Sequence, residues 1–189
     1  MPQILKQAIS NFKETGSIAP SSKKLAERIV ENAHLESKKV IVEFGPGTGV
    51  ITREILKRKP KDALYFALEL NPDLVKETQK NCPEALVFCD SATNISKYLK
   101  EMGATECDCI ISGLPFANFE EDLQDQILSA ASNSLSSNGV FLTFVYNMSL
   151  VTKAGKLFRK KLPAFFSSVR RGKTIWANLP PAFIYRASK

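Results

Sequence analysis

The sequence predicts an α/β fold in which helices cover both faces of a mostly parallel sheet. Three observations carry this. Short apolar runs typical of buried strands alternate with helix-period stripes through most of the chain. A glycine-rich stretch, Glu43-Phe44-Gly45-Pro46-Gly47-Thr48-Gly49, joins the first of those strands to the helix after it. Near the C-terminus the helical stripes stop between the last strands, so the sheet ends in an antiparallel hairpin.

The elements follow in order. Ile4, Leu5, Ala8, Ile9 and Phe12 form an apolar stripe with Lys6 and Lys13 off it, which predicts an amphipathic helix at about residues 3–13. After Thr15-Gly16-Ser17, a serine N-cap at Ser21 or Ser22 starts a helix through Leu25, Ala26, Ile29 and Val30. Val40-Ile41-Val42 is the strand that leads into the glycine loop. The helix leaving that loop carries Ile51, Ile55 and Leu56 and ends before Pro60. Leu64 to Leu68 is the second strand, closed by Glu69, and Asn71-Pro72-Asp73 opens the next helix with proline in its first turn. Ala85 to Phe88 is the third strand, stopped by Asp90. A helix through Ile95, Tyr98 and Leu99 precedes the fourth strand at Asp108 to Ile111. Leu123, Ile127, Leu128 and Ala131 mark another helix, followed by a turn at Ser137-Asn138-Gly139. Val140 to Val145 is the fifth strand and Val151 to Leu162 a helix. Ala164 to Val169, Thr174 to Trp176 and Ala182 to Tyr185 read as strands separated by turns.

At 189 residues the chain fits a single domain with one full core. No apolar run approaches the ~20 residues that span a bilayer. The N-terminus lacks the continuous apolar stretch of a secretory signal, so the chain is expected to stay in the cytoplasm. Cys82, Cys89, Cys107 and Cys109 form no Cys-x-x-Cys pair, and His34 is the single histidine. That spacing suits free thiols in a reducing compartment and holds no metal. His34 ends a helix, where a favourable charge is the simplest reading. The formal net charge of +7 favours a polyanionic partner, nucleic acid or an acidic membrane surface, or else a solvated basic face.

Chemistry concentrates at the strand ends. The glycines of the loop permit a tight turn and close approach of a ligand beside a positive helix N-terminus. Their spacing is Gly-x-Gly-x-Gly, and Glu43 precedes the first by two; with no diphosphate to hold, this carboxylate suits the amino group of a methionine moiety. Glu69 lies about twenty residues beyond the loop, the distance at which a carboxylate reaches ribose hydroxyls. Asp90 ends the third strand, where it suits an adenine amino group. Ser112-Gly113-Leu114-Pro115 ends the fourth, where the reacting centre is expected. Open α/β sheets bind ligands in the crevice at these ends.

Glu43-Phe44-Gly45-Pro46-Gly47-Thr48-Gly49, Glu69-Leu70-Asn71-Pro72, Ser112-Gly113-Leu114-Pro115 and Asn178-Leu179-Pro180-Pro181-Ala182 resemble the bacterial phospholipid N-methyltransferases. Ala19-Pro20-Ser21-Ser22 and Ile184-Tyr185-Arg186 are similar too, so the likeness spans nearly the whole chain. It implies a Rossmann-like class I methyltransferase fold with a seven-stranded sheet. It also implies S-adenosylmethionine as cofactor and stepwise methylation of phosphatidylethanolamine towards phosphatidylcholine. The implied cofactor residues are Glu43, Gly45, Gly47, Gly49, Glu69, Leu70, Asp90, Ser91, Ser112 and Gly113. Ser112, Leu114 and Tyr146 are the candidate catalytic groups. Ser21, Ser22, Pro115, Phe116, Tyr146, Asn147, Tyr185 and Arg186 are the candidate acceptor contacts. The acceptor border departs from the family at Phe116-Ala117-Asn118 and at Thr143-Phe144-Val145-Tyr146-Asn147.

The chain is expected to be a monomer, and a lipid acceptor implies a seat on the inner face of an anionic membrane, with the helix at about 3–13 lying in the headgroup region or packing in the core. Arg186, and the basic cluster Arg170, Arg171 and Lys173, are candidates to grip a lipid phosphate. Three alternatives stay open. Another lipid amine, such as an ornithine lipid, is a close variant. The rRNA adenine dimethyltransferases share a similar core, with an aromatic that stacks on an extruded base, a place Phe116 is suited to take. A non-catalytic membrane- or RNA-binding module that keeps the fold is the third.

Overall fold

A computed structural model of the protein describes residues 22–189. The helix expected at about 3–13, and Ser21, lie outside the described residues. Seven strands form one sheet: β1 (Val40–Phe44), β2 (Leu64–Glu69), β3 (Val87–Cys89), β4 (Cys107–Ser112), β5 (Leu135–Tyr146), β6 (Ser168–Arg171) and β7 (Ala182–Ser188). Their order is β3-β2-β1-β4-β5-β7-β6. β1 to β5 are parallel, β7 runs antiparallel to β5 and β6 antiparallel to β7. The connection reverses between β1 and β4, and at such a point the loops leaving neighbouring strands diverge and open a crevice.

The described helices are α1 (Lys23–Ala33), α2 (Val50–Arg58), α3 (Pro72–Asn81), α4 (Ile95–Glu101), α5 (Glu121–Ser134) and α6 (Lys153–Phe165). Alternation along each strand assigns the two faces. Ile41, Tyr65, Ala67, Cys109 and Ile184 pack under α1, α2 and α3 against Leu25, Ile29, Ile55 and Val75. Val42, Phe44, Phe66, Ile110 and Phe183 face α4, α5 and α6 with Ile95, Leu128 and Phe158. The local signals sit where the sequence puts them. Ser22 Oγ accepts from Leu25 N–H at the start of α1, and Asn71 Oδ1 accepts from Asp73 N–H ahead of Pro72 in α3. His34 closes α1 in the left-handed region, φ 51. Cys82, Cys107 and Cys109 are buried thiols, whereas Cys89 is exposed.

The C-terminal elements differ from expectation. α6 runs through Ala164 to Phe165, so the strand expected from Ala164 begins only at Ser168. Phe158 and Leu162 continue the helical stripe into the core, and Pro163 falls in the last turn, where it forfeits a single backbone hydrogen bond. Thr174 to Trp176 forms no strand, only the bridge Ile175–Ala182. β7 is longer than expected and pairs with β5 from Ala182 to Ser188. β5 starts at Leu135, because Ser137-Asn138-Gly139 makes an irregularity within the strand, between the partners of Cys107 and Cys109, rather than a turn before it.

Candidate active site

The carboxyl ends of β1, β2, β3 and β4 surround a cavity of about 290 Å³. The glycine loop forms its floor. Gly45 adopts φ +67 and donates its N–H to Leu68 O at 2.9 Å. Gly49, at φ +83, caps α2. Gly47 adopts φ +59, and a Cβ placed there meets nothing within 4 Å, so its crevice side is open. Opposite, Gly113 donates to Phe44 O at 2.8 Å. A Cβ on Gly113 would lie 2.6 Å from Gly45 O, and one on Gly45 would lie 2.7 Å from Leu114 Cδ2. The two loops therefore touch backbone to backbone, which only glycine at position 113 allows.

Two carboxylates stand on the walls. Glu69 Oε1 accepts from Asn71 N–H at 3.0 Å and Oε2 from Gly47 N–H at 3.3 Å. Burial raises the Glu69 carboxyl above its ordinary value, and the N–H groups of Asn71, Gly47 and Leu70 pull it part of the way back. For Asp90 the balance is reversed. Burial pushes it up, but hydrogen bonds from Ser91 N–H, Asn94 and Tyr98, with Lys97 at 3.8 Å, outweigh this and hold it below the ordinary range. Between the carboxylates the lining is apolar: Leu68, Leu70, Leu74, Ala92, Leu114, Phe119, Leu123 and Ile127.

A smaller cavity of about 40 Å³ shares Gly113 and Pro115 with the first and continues to Phe144, Tyr146 and Ser149. The hydroxyl of Tyr146, which lines it, and Oδ1 of the adjacent Asn147 are buried without a hydrogen-bond partner among the described residues. Burial pushes the Tyr146 phenol up from its ordinary value.

The structure gathers Gly45, Gly47, Glu69, Leu70, Asp90, Ser91, Gly113, Leu114 and Pro115 around the larger cavity. It does not bring every expected residue there. Glu43 shares the Ile41 side of β1 and is fully buried beneath α2, where Oε2 accepts from Thr52 Oγ1 at 2.8 Å and Tyr65 OH at 2.5 Å. Its carboxyl does not face the crevice. Ser112 is buried and acts on the loop, its Oγ accepting from Leu114 N–H at 3.3 Å. Gly49 packs against Cys82 and Thr78. Phe116 is 2% exposed with its ring stacked on Phe158 at 4.5 Å, so the ring is not free to stack on a base. Tyr185 is buried among Phe158 and Phe183.

Arg186 sits opposite Leu142, well short of the crevice end of β5, and donates from Nε to Asn32 O at the end of α1. It closes a helix C-terminus instead of gripping a phosphate at the crevice. Ser22 N–H donates to Asn178 Oδ1 at 3.0 Å, so the Asn-Leu-Pro-Pro-Ala element clasps the start of α1. Sequence reasoning missed Leu74 and Phe119, which carry no motif, and assigned Leu123 and Ile127 to a helix stripe alone. Among the described residues no group of three or more His, Cys, Asp or Glu is placed to hold a metal ion.

Comparisons with known proteins agree with this architecture. The ribosomal RNA adenine dimethylase family matches residues 16–101. An ornithine lipid N-methyltransferase of Singulisphaera acidiphila is 30% identical over 174 residues, 89% of this chain and 85% of that protein. A ribosomal RNA small subunit methyltransferase A of Sulfurihydrogenibium is 44% identical over 50 residues, 26% of this chain and 19% of that one. Among solved structures, an O-methyltransferase from Bacillus cereus in complex with SAH shares the fold. Its TM-score is 0.71 at 12% identity, covering 100% of this chain and 92% of its own. A TehB-like SAM-dependent methyltransferase from Corynebacterium glutamicum gives 0.64 at 14% identity, covering 98% and 96%.

The sheet order, the glycine loop and these likenesses define a class I methyltransferase that uses S-adenosylmethionine. The chain belongs to the family of the Singulisphaera ornithine lipid N-methyltransferase.

Proposed function

We propose that the protein methylates the amine headgroup of a membrane lipid, the class that phosphatidylethanolamine and ornithine lipids share. One observation carries the reading: a relative acting on a lipid amine aligns along 89% of the chain, through the loops that border both cavities. The cofactor supplies a methyl group on a positively charged sulfur. The residues present suit it, because Gly47 leaves the floor open, apolar walls suit an adenine ring, and two carboxylates stand ready to accept from hydroxyl and amino groups.

In this reading Glu69 accepts hydrogen bonds from ribose hydroxyls and Asp90 from the adenine amino group. Such bonds to a charged acceptor contribute ~1.5–3 kcal/mol each. Glu69→Gln is therefore expected to weaken S-adenosylmethionine binding by roughly ten- to a hundredfold in calorimetry. An unchanged Kd would remove Glu69 from the site.

The acceptor amine then enters the smaller cavity, where Tyr146 Oη, with Asn147 Oδ1 and the Leu114 carbonyl from bordering residues, orients its lone pair. Because burial pushes its phenol up, Tyr146 stays protonated and positions the amine without acting as a base. Tyr146→Phe is expected to lower kcat/KM for the lipid by about fivefold, one neutral hydrogen bond, with cofactor affinity unchanged. Equal losses in both would assign Tyr146 a structural role.

The direct test offers labelled S-adenosylmethionine with detergent-dispersed phosphatidylethanolamine, ornithine lipid or rRNA. Label in either lipid is expected; label only in rRNA would overturn the proposal. The rRNA reading is supported by the adenine dimethylase match, which ends at residue 101, before the acceptor loop at Ser112 to Pro115, and by an rRNA methyltransferase that aligns with only 26% of the chain. The buried Phe116 ring weighs against it.

A further inference from the structure

Five large apolar side chains are exposed among the described residues, and four of them lie in two loops: Met148 (64%), Val151 (75%), Trp176 (76%) and Leu179 (84%). Scattered single exposures need no explanation. These are not scattered. The loop after β5 and the loop before β7 are joined by Asn147 N–H to Pro181 O at 2.9 Å and Asn147 Nδ2 to Thr174 Oγ1 at 3.4 Å. Both leave the crevice end of the sheet. Tyr146 and Ser149, which line the smaller cavity, are chain neighbours of Asn147, Met148 and Leu150. The apolar tips therefore flank the cavity assigned above to the acceptor.

Charge is segregated in the same direction. From Gln126 to Lys189 the chain has ten Lys and Arg and no Asp or Glu, so this third alone carries more positive charge than the net +7 of the whole. Lys153 and Lys156 are exposed on the first turns of α6, directly after Val151, and Lys173 is exposed shortly before Trp176. None of the three makes an ion pair among the described residues. Aliphatic tips ringed by unpaired cations match the boundary between anionic headgroups and acyl chains. A single-stranded nucleic acid would instead call for stacking rings, and three of the four tips have none.

We propose that Met148, Val151, Trp176 and Leu179, with Lys153 and Lys156, form the surface that seats the enzyme on an anionic bilayer, mouth of the acceptor cavity downwards. This rests on the lipid-amine reading and adds to it the face that meets the membrane. It requires no contribution from the residues before Ser22.

Trp176 is the single tryptophan of the chain, so its emission reports this surface alone. Full-length protein is titrated with phosphatidylcholine vesicles, with or without phosphatidylglycerol. The expected result is a blue shift, and quenching by brominated acyl chains, only with the anionic vesicles and weakening with salt. Lys153→Ala and Lys156→Ala should each weaken sedimentation with vesicles about fivefold, and Val151→Glu or Leu179→Glu should abolish it. All four sites are exposed, and circular dichroism checks that the fold is kept. Sedimentation with Trp176 emission unmoved would overturn the proposal in favour of another surface. So would a Trp176 response to a homopolymeric RNA but to no vesicle.

Methyl transfer to a detergent-dispersed lipid amine, measured alongside, separates the two ideas. Transfer without vesicle seating overturns the docking surface alone. Seating without transfer to any lipid amine supports the surface and removes the lipid-methylation reading.

Discussion

Replacing Gly113 with alanine is expected to raise the Kd for S-adenosylmethionine at least tenfold and to cost ~1–3 kcal/mol of stability, the usual range for overpacking a close contact. The added Cβ would stand 2.6 Å from Gly45 O. The opposing atom is backbone, so no rotamer change relieves the clash and one of the two loops must move. Gly113 N–H is held by Phe44 O and Gly45 N–H by Leu68 O, which ties any displacement to the ends of β1 and β2. The carboxylate that would be disturbed is Glu69, whose Oε2 accepts from Gly47 N–H. Calorimetric titration with the cofactor, beside urea unfolding, reads both effects. If affinity is unchanged while stability falls, the loop contact supports the fold and not the site.

That contact is a good measure of what the sequence reveals. The alternation of apolar runs and helical stripes is enough to give a parallel sheet with two helical layers, because each element must bury one face against the next. The loss of helices after Leu162 gives the closing hairpin for the same reason. Strand ends bearing Glu69, Asp90 and Gly113 are legible as a crevice, since parallel strands all deliver their C-terminal residues to one edge.

What is not legible depends on side-chain parity and on long-range register. Glu43 has the parity of Ile41, which turns it under α2, and one further residue along β1 would have turned it the other way. Arg186 and Tyr185 are placed by the pairing of β7 on β5, a match between segments some forty residues apart that no local pattern encodes. Phe116 is buried by Phe158 of α6 in the same manner. The acceptor side, built from these long-range pairings, is accordingly where most of the expected residues moved.

Glu43→Gln should change how stability depends on pH. The Glu43 carboxyl is fully buried, and desolvation by burial raises it from 4.5 to about 7 against the opposing hydrogen bonds of Tyr65 and Thr52. Oε1 has no hydrogen-bond partner among the described residues. In the unfolded chain the group titrates near its ordinary value. Between those two values the folded protein therefore holds a proton that the unfolded chain has released. Stability is greatest below about pH 4.5 for this group, falls as pH rises towards about 7, and is level above that. The full excursion is about 3 kcal/mol.

Glutamine is neutral throughout, and its carbonyl oxygen can still accept from Thr52 and Tyr65, so the variant should lack this slope. Relative to wild type it should gain about 3 kcal/mol on going from pH 4.5 to pH 8. Urea midpoints at intervals of one pH unit measure the difference. Glu69, also raised, contributes a slope of the same sign to both proteins and cancels from the comparison. Parallel curves would mean that Glu43 stays ionised beneath α2, compensated by water reaching Oε1. Curves that separate as pH rises, with the predicted sign, would identify a neutral carboxylic acid clamping β1 to β2 through Tyr65 and to α2 through Thr52. The glycine loop would then be held from below by a group that touches no ligand.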